Sequence, residues 1–96
     1  MLAKVLRRAA ELVDQGWCQG VTATDVWGQA CLASDSRTTR WCLIGAVSLA
    51  NIEVEGRDIK FNDEIVRLLW AQAPTHSPIS WNDMPERTSD EVSAFL

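Results

Sequence analysis

The stretch RTTRWCLIGAVSLAN, residues 37–51, decides how this chain folds. Polar at its start and apolar on nearly every side afterwards, it has the pattern of a helix surrounded by other elements. It is expected to be the central helix. Gly45 inside it costs roughly 1 kcal/mol relative to alanine, so its expected use is close approach of a neighbouring backbone or indole.

Upstream, Leu2, Val5, Leu6, Ala9, Leu12 and Val13 recur at helical spacing with Lys4, Arg7, Arg8, Glu11 and Asp14 between them, predicting a first helix that ends at Gly16. Between the two helices, residues 20–36 change period. VTATD is rich in β-branched residues, WGQ reads as a turn and ACLAS is short and small, which together predict a short extended hairpin or loop insertion. Downstream, Asn62 is a good N-cap, with Asp63 and Glu64 in the first turn where the helix dipole favours them, and the pattern continues through Trp70 to a stop before Pro74. The tail is read as a loop of about fourteen residues, with WNDMP a shaped turn pinned by Trp81 and Asn82 or Asp83 bonding its own backbone. A last helix follows, opened by a capping box of Thr88 and Glu91, with Val92, Phe95 and Leu96 packing inward. The expected fold is mainly α: one domain over residues 1–96, a small bundle of about four helices with the insertion at about residues 20–36.

Five tryptophans, Trp17, Trp27, Trp41, Trp70 and Trp81, with no tyrosine, are the unusual entry in an otherwise ordinary composition. Each can bury up to ~250 Å², so in 96 residues they either make the core or form a binding surface. Trp41 and Trp70 are placed in helices, and Trp17 and Trp81 at ends where one ring edge stays wet. Trp27 sits at the expected turn tip, where facing out as an anchor and folding back onto the core are equally open. Charge is uneven: residues 1–52 sum to +1 and residues 53–96 to −5, with Glu53, Glu55, Asp58, Asp63 and Glu64 the densest acidic group. The short Lys4, Arg7, Arg8 set is too small for a duplex-binding face, so direct nucleic-acid binding is disfavoured while a basic protein partner is allowed. The longest apolar stretch, Trp41 to Ala50, is about half of the ~20 residues that cross a bilayer, and no leader pattern opens the chain. No membrane association is expected. An odd count of three cysteines, Cys18, Cys31 and Cys42, fits a reducing, cytoplasmic setting.

Chemistry-bearing sets are sparse. A thiol mechanism needs a lowered thiol pKa and a base, and His76 is the one histidine, so such a mechanism would use Cys18 or Cys42 with His76. The alternative is that Cys18 and Cys42 are small buried hydrophobes beside indoles, and packing is the favoured reading. Structural zinc takes its ligands in close pairs, whereas these cysteines are thirteen and eleven positions apart. Nucleotide-binding and metal motifs are absent from the sequence, so no cofactor and no metal is expected.

With GWCQG at 16–20, RWCLIGA at 40–46 and WNDMPERT at 81–88 in view, the chain resembles a family of small uncharacterised bacterial and phage proteins carrying a WCQG segment, a WCxxGA helix and a WNDxPxRTxxEV tail. The resemblance implies an established small fold with no settled activity. Matched to this sequence, the motif residues are Trp17, Cys18, Gln19, Gly20, Trp41, Cys42, Gly45, Ala46, Trp81, Asn82, Asp83, Pro85, Arg87, Thr88 and Glu91. Trp27 and Glu86 depart from the family's pattern, which has an acidic or small turn residue and a glycine there. Most motif positions have an architectural reading; Gln19, Asn82, Asp83 and Arg87 either tie loops together or meet a ligand, and tying is favoured.

Small size, acidity, surplus tryptophan and the lack of a catalytic set lead to a non-enzymatic protein-binding module. Its expected form is a phage- or mobile-element-encoded inhibitor of a host defence complex, of the anti-CRISPR kind, acting in the cytoplasm by occupying a partner surface. Trp27 and the acidic group Glu53, Glu55, Asp58, Asp63 and Glu64 are its expected partner-binding residues. Two alternatives stand beside it: the small cysteine-dependent enzyme, and an accessory subunit that works only within an oligomer.

Overall fold

The computed structural model describes residues 2–57, 63–72 and 77–96. Among the described residues, five helices and a two-stranded ribbon appear in the order α1 (Leu2–Gln15), β1 (Ala23–Thr24), β2 (Arg40–Trp41), α2 (Leu43–Glu55), α3 (Asp63–Gln72), α4 (Pro78–Asn82) and α5 (Ser89–Phe95). The protein is mainly α, as the sequence predicts.

Helix α1 puts Val5, Ala9, Leu12 and Val13 on one buried stripe, and α2 meets it with Leu43, Ala46, Val47 and Ala50, all fully or almost fully out of water. Each such valine or leucine stabilises the fold by about 1.5–3 kcal/mol relative to an exposed position. Ile65 and Leu69 from α3, Trp81 from α4 and Val92 from α5 complete the same core, with Phe95 and Leu96 packed against it. On the outer side of the α1–α2 contact, Arg8 Nε bridges both carboxylate oxygens of Glu53 at 3.0 and 3.2 Å. Both partners are about a third exposed, so the pair fixes helix register more than it adds stability.

The central helix is shorter than the sequence pattern implies. Arg37 to Cys42 are not helical: Trp41 belongs to β2, and Cys42 is the N-cap of α2, its Sγ accepting the Gly45 N–H at 3.3 Å. The strand pairing also crosses the expected insertion instead of closing within it. Ala23 pairs with Trp41 and Thr24 with Arg40, antiparallel, so residues 25–39 form the loop between the strands. An apolar run hides such a join, because β2 is only two residues long and its buried Trp41 has the same character as the helix that follows.

Gly45 shows why the join must lie there. A Cβ at Gly45 would sit 2.2 Å from the Thr22 carbonyl oxygen, so the first turn of α2 presses directly on the chain entering β1. The expected close approach is present, and the neighbour is backbone.

The tail also departs from expectation. Residues 78–82 are helical, with Ser77 as N-cap accepting the Ser80 N–H at 3.0 Å and Pro78 in the first turn, where its missing N–H costs nothing. The Thr88–Glu91 capping box is present in both halves: Glu91 N–H donates to Thr88 Oγ1 at 3.2 Å and Thr88 N–H to Glu91 Oε1 at 3.1 Å. Among the described residues no helix is long and apolar enough to cross a membrane.

Candidate functional site

Three segments far apart in the chain meet at one buried amide. Asn82, 1% exposed at the end of α4, uses its carboxamide to full capacity. Its Oδ1 accepts the Trp17 indole N–H at 2.8 Å and the Leu43 backbone N–H at 3.0 Å; its Nδ2 donates to the Cys18 carbonyl at 3.2 Å and to Asp83 Oδ1 at 2.9 Å. The two WC dipeptides lie side by side beneath it. Trp17 and Trp41 form a parallel bridge, with Trp41 N–H donating to Gly16 O at 3.0 Å and Cys18 N–H donating to Trp41 O at 3.3 Å. The next rung of a parallel ladder would join Leu43 N–H to Cys18 O. Asn82 stands between those two groups and bonds both, acting as a surrogate peptide unit.

The surrounding polar residues serve the same junction. Gln19 Nε2 donates to the carbonyls of Asn82 and Met84 at 2.9 and 2.8 Å, and Asp83 Oδ1 accepts the Gly20 N–H at 3.0 Å. Apart from the bond between them, Asn82 and Asp83 thus use their side chains across the fold and not on the backbone of their own turn. Arg87 lies 4.1 Å from the centre of the Trp81 ring, donates to Trp81 O at 3.0 Å and pairs with Glu91 at 2.9 Å. Desolvation pushes the Glu91 carboxyl up, but the hydrogen bonds from Thr88 and Arg87 outweigh it and hold the group below its ordinary value. Trp81 stacks obliquely on Phe95, with ring centres 4.8 Å apart. Every polar member of the motif set is therefore engaged in joining loop to helix.

Cys18 and Cys42 sit at this junction in a setting that slows their chemistry near neutral pH. Burial pushes the Cys18 thiol up to about 11, with nearby Cys42 and Asp83 acting in the same direction. Burial likewise raises Cys42, and the hydrogen bonds it accepts from the start of α2 only partly offset that. Both are protonated at neutral pH, and an attacking thiol must be ionised. His76, the partner a thiol mechanism would need, lies outside the described residues.

A different surface, the loop between the strands, carries exposed apolar residues. Between the strands, Asp25 is 7% exposed and its Oδ1 accepts the N–H groups of Trp27 and Gln29 at 2.9 and 3.0 Å. Gly28, at φ 80°, reverses the chain and returns its N–H to Asp25 O at 3.1 Å. The result is a tied loop that holds Trp27 at 80% exposure, with Val26 at 62% beside it and Leu32 at 74% further along. A buried carboxylate that fixes the backbone while the indole stays in water is the reverse of a ring capping the core. Of the two readings open for Trp27, the outward one is the structure's. The clamp was missed in the sequence, although an aspartate opening a turn two residues before the indole is its recognisable signal.

The acidic group does not converge on this loop. Glu53 is bound by Arg8 and Glu55 by Arg57 at 3.3 Å, while Glu64 is exposed on α3. Asp58 lies outside the described residues, as does the side chain of Asp63. An open groove lined by Lys4, Arg7, Arg8, Glu11, Glu53 and Val54 runs along the α1–α2 contact with mixed charge.

Comparison with known proteins places the chain. A family model described as a family of unknown function (DUF6197) matches residues 1–96, and the chain belongs to that family. No curated protein and no solved structure matches.

Proposed function

We propose that this family member is a protein-binding module that acts by occupying a partner, with Trp27 as its anchor and Val26 and Leu32 as flanking apolar contacts. The observation that carries this reading is the 80% exposure of Trp27 on a loop tied down by a buried aspartate. Exposed indoles on pre-ordered loops suit recognition, because little conformational freedom is lost when the ring enters a pocket, and tryptophan is enriched among residues that dominate binding energy. The cysteine-dependent alternative draws no support from the two protonated thiols.

The sharper form, a phage- or mobile-element-encoded inhibitor of a host defence complex working in the cytoplasm, rests on the small acidic chain and its sequence resemblance. The paired state of Glu53 and Glu55 shifts the weight of that proposal from charge to the Trp27 loop.

The test compares wild-type protein with Trp27→Ala, immobilised in parallel and exposed to lysate from a host carrying the candidate defence complex. A stoichiometric partner that binds wild type and loses at least about 30-fold in affinity to Trp27→Ala supports the reading, matching the ~2 kcal/mol of a dominant anchor. Equal retention by both proteins, or no stoichiometric partner, contradicts it.

A further inference from the structure

The side-by-side WC dipeptides carry a consequence for their sulfurs. In a parallel ladder, residues in register lie about 4.8 Å apart and point to the same side, and successive residues alternate sides. The Trp17–Trp41 bridge sets both indoles on one side, and Cys18 and Cys42, each one residue further on, take the opposite side at the point where Asn82 parts the two segments. Ladder spacing lies near the lower end of the ~4.4–6.8 Å between Cα atoms that a disulfide spans, which leaves room for the parting that Asn82 introduces. We propose that Cys18 and Cys42 are an oxidisable pair, a modification site at which a low-molecular-weight disulfide cross-links the WCQG segment to the N-terminus of α2.

Access and room support the order of events. Cys18 is half-buried and its neighbours Gln19 and Gly20 are exposed, whereas Cys42 is 6% exposed. Cys18, once deprotonated by solvent base, attacks one sulfur of the external disulfide, forming a mixed disulfide and releasing one thiolate. Cys42, deprotonated in turn, attacks the Cys18 sulfur and releases the second thiolate. Two electrons pass from the cysteine pair to the oxidant, and the two released thiolates take up the two protons. For this Cys42 must leave the Gly45 N–H it caps, and a cavity of about 130 Å³ beside it, bounded by Val21, Ile44 and Ile79, gives it space to turn. Cys18 Sγ donates to Val21 O at 3.6 Å, and Val21 borders the cavity beside Cys42, so both thiols lie against the same residue. Cys31 is occupied elsewhere, with its sulfur 2.9 Å from Thr38 Oγ1.

The test uses the wild-type full chain and oxidised glutathione at about pH 8.5, near the ordinary cysteine pKa. After free thiols are blocked, cleavage before aspartates isolates each cysteine in its own peptide: residues 14–24, 25–34 and 35–57. The expected product is a cross-link of 14–24 to 35–57 that has lost two hydrogens, with 25–34 alkylated and the urea midpoint raised over that of the reduced protein. A cross-link that includes 25–34, a stable glutathione adduct on 14–24 without transfer, or three alkylated peptides would each overturn the proposal.

Discussion

The side-chain oxygen of Asn82 accepts the backbone N–H of Leu43 at 3.0 Å, across 39 positions of sequence. That bond satisfies a donor at the start of the central helix α2, where backbone N–H groups lack partners inside the helix. The same amide satisfies the Trp17 indole and the Cys18 carbonyl, so one residue ties together three segments far apart in the chain. Buried polar networks of this kind are favourable only when complete.

Gly45→Ala sets two effects of opposite sign against each other. Alanine gains about 1 kcal/mol in helix propensity, but its Cβ would meet the Thr22 carbonyl at 2.2 Å, and that carbonyl already accepts the Cys42 N–H at 2.9 Å. The neighbour is backbone held at the edge of β1 and cannot swing away. Overpacking costs of about 1–3 kcal/mol outweigh that gain, and urea unfolding should show a net loss of up to about 2 kcal/mol.

Thr88→Ala removes the side-chain half of the capping box on α5, a helix of only seven residues. The expected loss is about 1 kcal/mol. Amide exchange should rise first at Glu91 and Val92, whose N–H groups bond Thr88 Oγ1 and Thr88 O.

Alkylation of Cys18 reports its environment directly. Its thiol is raised from 9.0 to about 11, so the thiolate fraction of the folded protein at pH 8 is about 100-fold below that of an unperturbed cysteine. The labelling rate in native buffer should climb about tenfold per pH unit up to about pH 10, and urea should remove the roughly 100-fold suppression at pH 8. Because the folded pKa lies above the unfolded one, the contribution of this group to stability is complete below pH 9 and falls as pH rises towards 11.

What the sequence revealed and concealed follows from distance along the chain. Helix α1 and the Thr88–Glu91 box were legible because their signals are local: a repeat of three and four residues, and a threonine three before a glutamate. Gly45 was legible as a close approach because a glycine in an apolar helix needs a packing reason. The start of α2 was not, since Trp41 and Cys42 look like helix interior until Ala23 and Trp17 arrive from elsewhere to pair with Trp41. Helix α4 could have been read, because Ser77 followed by Pro78 is an N-cap and first-turn pair. The role of Asn82 could not, as its partners lie 39 to 65 positions away apart from adjacent Asp83.

The separation of a structural junction from the exposed Trp27 loop is tested most directly by urea unfolding of Asn82→Ala beside Trp27→Ala. Asn82→Ala leaves the Leu43 N–H and the Trp17 indole without their partner and should cost about 3 kcal/mol or more. Trp27→Ala, which removes a ring 80% in water, should stay within about 0.5 kcal/mol of wild type. An Asn82→Ala protein as stable as wild type, or a Trp27→Ala protein destabilised as much as Asn82→Ala, would contradict the account.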